Sequence, residues 1–315
     1  MRLDEAADNR TRRRGSILWN RQVKFNTLVD LNLEIGESPV WDEQRGAVWF
    51  VDILSPAVLC VELATRKLSA FAMPAVIGSV SLASDARLVV ALRTGVHLFD
   101  PHSGQLEFLV HPEPDRAENR LNDGKIGPDG CFWIGSMHDS VPRSPTGALY
   151  RVTPRGESVR VLDGIKVSNG LAWSPDGRTM YHSDSTEARV TVFDFDPATG
   201  RVGNARTLLT LSEEQGLPDG AAMDVDGFYW SAGVSSGRLN RISPQGEVIE
   251  SISLPVSAPT MPCFGDFDGR TVFVTSLASA RSGRWERGRL ISFRTDAVGA
   301  PIGRFGQKAR SSAFG

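Results

Sequence analysis

Four residues of this chain bring side-chain oxygen to one recurring place: Glu37, Asn122, Asn169 and Asp219. Asn169 in "SNGLAWSPDG" (168–177) and Asp219 in "LPDGAAMDVDG" (217–227) each stand seven residues ahead of the aspartate of a tight turn. Two carboxylates and two carboxamides, with no thiolate and no histidine in that register, suit a hard divalent cation such as calcium, magnesium or manganese. Zinc is also open through oxygen ligation. A bound cation would relieve the repulsion of two buried carboxylates. Any one Asn or Asp at the start of a strand is an ordinary turn-capping residue. It is the common register of four, beside the glycines of "IGES", "LNDG", "SNGL" and "PDGA", that points to a ring.

That register rests on an internal repeat. An Asp-containing turn followed by an apolar strand recurs as "WDEQRGAVWF", "ASDARLVVAL", "GPDGCFWIGS", "SPDGRTMYHS", "DVDGFYWSAG" and "DFDGRTVFVT". The turn aspartates Asp42, Asp85, Asp129, Asp176, Asp226 and Asp268 are spaced by 43, 44, 47, 50 and 42 residues, which makes six units. Counting back seven from each turn gives Gly78, Asn122, Asn169, Asp219 and Met261. Aligning Val40-Trp41 on Ala172-Trp173 adds Glu37 for the first unit. Hairpin phrases such as "FDFDPATGRVG" and "RISPQGEV" lie between the turns, so each unit has chain enough for about four short strands.

The composition agrees, with 31 Gly, 18 Pro and short runs such as "GAVWFVDI" and "RTVFVTSL" that are too brief and too β-branched or aromatic for helices. The expected fold class is all-β, a six-bladed β-propeller with a central metal site, in which the first strand of each blade lines the channel. Closing the ring needs a strand from around Phe25 to Leu31 to complete the last blade near residues 289–303. The expected division is a mobile N-terminal tail over 1–24, the propeller over 25–306, and a C-terminal tail over 307–315.

The remaining features exclude more than they assign. A net charge of −2 and a pI near 6.2 give no basic bias, so neither nucleic acid nor an anionic membrane is an expected partner. The N-terminus is basic without an apolar stretch behind it, so no secretory signal is read and a cytoplasmic location is expected. Cys60, Cys131 and Cys263 are odd in number and far apart, as reduced, buried thiols would be. His97, His102, His111, His138 and His182 share no register, and no G-x-S-x-G elbow occurs. Ser136 and His138, two apart on a strand, do not make a triad.

The phrases "IGESPVWD" (35–42), "NRLNDGKIGPDGCFWIGSM" (119–137), "GALYRV" (147–152), "VSNGLAWSPDGRTMYHSDS" (167–185), "GLPDGAAMD" (216–224) and "PTMPCFGDFDGRTVFVTS" (259–276) occur in order. From about Leu33 to Phe305 the chain resembles the gluconolactonase, regucalcin and senescence-marker protein family. The resemblance implies a six-bladed propeller with one divalent metal in its channel (Ca, Zn, Mg or Mn) and a small-molecule sugar lactone opened to the aldonic acid. It makes Glu37, Asn169 and Asp219 the metal ligands. Asn122 would then hydrogen-bond substrate and Arg120 would contact the sugar oxygens. Residues two apart on a strand share a face, which supports that pair. After "GSM" the resemblance implies an acidic residue reaching substrate, where this chain offers His138 or Asp139; Asp139 is the choice carried forward. In the expected chemistry the metal polarises the carbonyl and water adds, with Asp219 serving as ligand and as general base. Two other readings stay open: a non-catalytic calcium-binding regulator and a calcium-dependent phosphotriesterase.

Overall fold

Among the described residues, six antiparallel four-stranded sheets follow one another. The computed structural model describes residues 23–281 and 284–308, so most of both expected tails, 1–24 and 307–315, lies outside the described residues. No helix occurs among the described residues, and none is therefore long and apolar enough to cross a membrane.

Blade 1 runs through Gly36–Asp42, Ala47–Asp52, Ala57–Glu62 and Leu68–Ala72, and the next four blades repeat this order of inner, second, third and outer strand. Their inner strands are Ile77–Leu82, Asn119–Ile126, Ser168–Trp173 and Pro218–Met223. Blade 6 takes Pro259–Gly265, Thr271–Ser276 and Leu290–Arg294 from the C-terminal part and receives Phe25–Thr27 as its outermost strand. Phe25 pairs with Phe293 and Thr27 with Ile291, so the closure expected near residue 25 is the one observed. Each inner strand neighbours those of the two adjacent blades, the first and sixth included, which closes the ring around a channel.

The core is divided among the blade interfaces. Six apolar clusters occur, one between each neighbouring pair of blades. Between blades 3 and 4, for example, Trp133, Trp173 and Phe195 meet edge to face at 5.5–5.9 Å. A sheet sandwiched this way is covered on both faces, so second strands such as Ala47–Asp52 are buried at every position, whereas the outer strand Leu68–Ala72 alternates. Continuous apolar runs inside and alternating runs outside are the sequence consequence. The three cysteines are free and buried within this packing, which pushes each thiol up to about 12.

Three buried aspartates, Asp42, Asp129 and Asp224, sit on the face of the ring opposite the inner-strand starts. Asp129 accepts the Trp133 indole N–H at 3.1 Å and Arg151 Nε at 2.6 Å. In blade 5 the same work is done by Asp224, which accepts Trp230 Nε1 and Arg241 Nε, both at 3.0 Å. The repeat unit's Asp226 is two residues on and exposed.

Candidate metal and substrate site in the channel

Each inner strand is interrupted at the same level. Between Glu37 and Val40, Ile77 and Ser79, Leu121 and Gly124, Asn169 and Ala172, Pro218 and Ala221, and Pro259 and Met261, it carries one residue more than its partner strand. Such a bulge bends the strand and re-aims the side chains beside it. The four oxygen-bearing residues all sit at or inside these bulges. Gly170, which follows Asn169, has φ +62°, and a Cβ there would meet the Tyr229 and Ser183 hydroxyls. Ser38, which follows Glu37, reaches φ 52° without being glycine. Its hydroxyl exchanges 3.0 Å hydrogen bonds with both the N–H and the carbonyl of Val80, which holds the left-handed turn.

Two aspartates missed at the sequence level anchor these strands. Asp52 accepts the backbone N–H groups of Glu34 and Ile35 at 2.9 and 3.1 Å, just ahead of Glu37. Asp184 accepts those of Lys166 and Val167 at 2.9 and 3.3 Å, just ahead of Asn169. Asp52 follows Glu37, and Asp184 follows Asn169, by the same 15 residues, a signal that was present in the repeat.

Glu37, Asn122 and Asn169 are buried, and Asp219 keeps an edge in solvent. Asn169 Nδ2 donates to Ser185 Oγ at 2.8 Å, and Ser185 donates to the Pro218 carbonyl at 2.6 Å. That relay orients the carboxamide and ties it to the residue preceding Asp219. Asn122 Nδ2 donates to Asn169 Oδ1 at 3.1 Å and to the Ser168 carbonyl at 2.9 Å. Arg120 Nη1 donates to Asn122 Oδ1 at 2.7 Å, so the pair expected to share a face is in contact. Asp139 joins this line: its Oδ1 accepts Arg120 Nε at 3.0 Å and its Oδ2 accepts Arg93. The alternative at this position, His138, turns its Nδ1 to the Ser140 carbonyl at 3.1 Å. Ser136 donates to Glu113 at 2.9 Å, outside any triad.

Charge explains what the pocket can hold. Burial, then the carboxylates of Asp219 and Asp123, hold the Glu37 carboxyl well above the usual range. Burial and Asp123 push Asp219 up to about 8, against the pull of Arg120. Asp123 and Lys125 were not expected here. Asp123 is buried, accepts the Leu171 N–H at 3.1 Å with one oxygen, and leaves the other unbonded. Lys125 donates across the ring to the Ala221 carbonyl. Charged residues in a strand closed in on every side were the available clue.

Among the described residues no three Asp, Glu, His or Cys side chains group as a metal site by themselves. The set in the channel is mixed, two carboxylates with a fixed carboxamide oxygen. Crowded, mutually repelling carboxylates beside neutral oxygen are a donor set a hard divalent cation fits.

The family model for the SMP-30/gluconolactonase/LRE-like region matches residues 35–278. The chain belongs to this family. Among SMP-30/gluconolactonase/LRE-like relatives, regucalcin of Xenopus laevis is 34% identical over 270 residues, covering 84% of this chain and 90% of that protein. The 6-deoxy-6-sulfogluconolactonase of Pseudomonas putida is 36% identical over 250 residues, covering 79% and 85%. Among solved structures, a calcium-binding regucalcin of Agrobacterium tumefaciens superposes with a TM-score of 0.84 at 25% identity, covering 90% of this chain and 98% of that one.

Proposed function

We propose that this protein is a divalent-metal-dependent hydrolase that opens a sugar lactone to the aldonic acid. The observation that carries the reading is the meeting, at one bulged level of the ring, of the crowded carboxylates Glu37 and Asp219 with the hydrogen-bonded line Asn169–Asn122–Arg120. The relative in P. putida, named for a sulfogluconolactone, supports the substrate class, and the calcium-binding relative supports the cation. A cytoplasmic location, expected from the N-terminal residues, belongs to the same proposal.

Glu37, Asn169 and Asp219 would hold the ion, and a hard cation there supplies polarisation of the lactone carbonyl. Arg120 and Asn122 would orient the sugar: the guanidinium is pinned by Asp139 and by the Asn122 carboxamide, so that little side-chain freedom is lost when it donates to the sugar oxygens, and Asn122 stands beside it with its own amide hydrogens on Ser168 and Asn169. Each Asp139 oxygen accepts one arginine and keeps lone-pair capacity for a sugar hydroxyl. Asp219 takes one proton from water as the water oxygen bonds to the carbonyl carbon. When the bond from that carbon to the ring oxygen breaks, the same proton goes to the ring oxygen, which leaves as a hydroxyl. One water is consumed, and the product is the open-chain acid.

The test is acid release from a panel of aldonolactones with chelator and with added metal. Turnover should need the metal, and Asp219→Asn should reduce kcat by at least about a hundredfold. Asn122→Ala should act mainly by raising KM. Full activity of Asp219→Asn would refute the assignment. Tight cation binding without turnover on any lactone would leave the calcium-binding regulator reading in its place, and turnover of an organophosphate alone would favour a phosphotriesterase.

A further inference from the structure

Two guanidinium groups share one carboxylate at the mouth of the channel, and a third stands in the connection beside them. Arg93 lies between the second and third strands of blade 2, Arg120 near the start of the inner strand of blade 3, and Arg143 in the connection that follows Phe132–His138. These segments open on the face where the inner strands begin, the face that bears the bulges. Asp139 takes Arg93 on one oxygen and Arg120 on the other. Arg143 Nη1 donates to the His138 carbonyl at 2.6 Å and the Ser140 carbonyl at 3.4 Å, and among the described residues no carboxylate lies within ion-pair distance of it.

Arg120 feels the other two charges. Burial first, then Arg143 and Arg93, lower Arg120 to about 10, with Glu37 and Asp219 pulling the other way. Arg120 is only 9% exposed and Arg143 is partly desolvated. Asp139 offsets part of this repulsion, but one carboxylate shared by Arg93 and Arg120, with Arg143 beside them and unpaired among the described residues, leaves positive charge that a further anion would balance. The guanidinium fork matches the paired oxygens of a phosphate, sulfonate or carboxylate, and does so better than it matches a hydroxyl. The cluster is continuous with the proposed sugar contacts, because Arg120 touches Asn122.

We infer that the preferred lactone carries an anionic group at the end away from its carbonyl, received by Arg93 and Arg143 at the channel mouth. This rests on the lactonase reading and narrows its substrate class. The group itself is unchanged in the reaction: the arginines select and orient it while water opens the ring.

The experiment compares the metal-loaded full chain on neutral glucono-1,5-lactone with three anionic lactones: the 6-phosphate, the 6-deoxy-6-sulfonate and the carboxylate-bearing glucarolactone. At least one anionic lactone should exceed the neutral one about tenfold or more in kcat/KM, through KM, and the advantage should shrink as salt rises. Which of the three leads identifies the anion. Arg143→Gln, and separately Arg93→Gln, should cut the ratio of anionic to neutral kcat/KM by about fivefold or more. The salt dependence needs no variant and so does not depend on either one folding. Equal or faster hydrolysis of the neutral lactone, or a ratio that both variants leave intact, overturns the inference and leaves the lactonase standing. No hydrolysis of any of the four removes the lactonase reading and this inference with it.

Discussion

At the scale of single residues, the channel separates the groups proposed to meet metal and substrate from the groups that hold them still. Asp52 and Asp184 belong to the second kind, since each binds two backbone N–H groups immediately ahead of a proposed ligand. Removing such a carboxylate frees the strand start without removing any of the proposed metal ligands. Asp184→Ala should therefore weaken calcium binding by about ten- to a hundredfold, by calorimetry, while Asp184→Asn, which keeps one acceptor oxygen, should recover part of the loss. Equal affinity in Asp184→Ala and the parent protein would show that Asn169 is positioned without it. The site was partly legible at this scale. Glu37, Asn122, Asn169 and Asp219 emerged from one count along the repeat, whereas Asp123 and Lys125, though adjacent to Asn122 in the same phrase, did not. Nothing in alternation along a strand announces which residues a bulge turns toward the axis.

At the scale of the element, the bulged inner strand is the working part, and its backbone is specific. Gly170 combines a left-handed φ with the close approach of two hydroxyls. Gly170→Ala should lose at least about 1 kcal/mol of stability in urea titration, and should disturb Asn169 more than a surface change of the same size would. An unchanged midpoint would contradict this account.

The second strand of the same blade carries His182, whose Nε2 meets Ser168 Oγ at 2.8 Å beneath the site. Burial, with a smaller push from Arg189, lowers this histidine to about 4. A folded-state value below the unfolded one means that the unfolded chain binds the proton first as pH falls. Stability from this group is therefore complete above about 6.5 and is lost progressively between there and about 4, by an amount on the order of 3 kcal/mol. The urea midpoint of the parent protein should drop between pH 7 and pH 4.5 by more than that of His182→Gln. Parallel pH profiles for the two would sink the assignment.

At the scale of the whole molecule, stability depends on closing the ring. Each interface is a separate apolar cluster, and the one joining blades 5 and 6 is completed by residues of the N-terminal segment, Val23 and Phe25. Phe25 stands edge-on to Phe293 at 5.6 Å, on a strand of three residues that joins the two ends of the described chain. Phe25→Ala should lower stability by about 1–2 kcal/mol, and by more than Phe108→Ala, whose ring lies 59% exposed on the outer strand of blade 2. Matching urea midpoints for the two variants would mean that closure contributes nothing beyond the contact itself.

The repeat period, the blade count and the near absence of alternation in the second strands were readable from the chain, because turns and strand patterning are local and recur at a fixed interval. The oxygen ring was readable for the same reason: equivalent positions in a closed array must converge. Three outcomes belonged to the tertiary structure alone. One is the bulge, where a single extra residue reverses which face a side chain takes. Another is the exchange of roles in blade 5, where Asp224 in place of Asp226 binds the tryptophan and arginine. The last is the arginine cluster, which unites Arg93 and Asp139 across a separation of 46 residues. Charges that distant along the chain have no common pattern to betray them, and only the stacking of one blade on the next brings them within reach of each other.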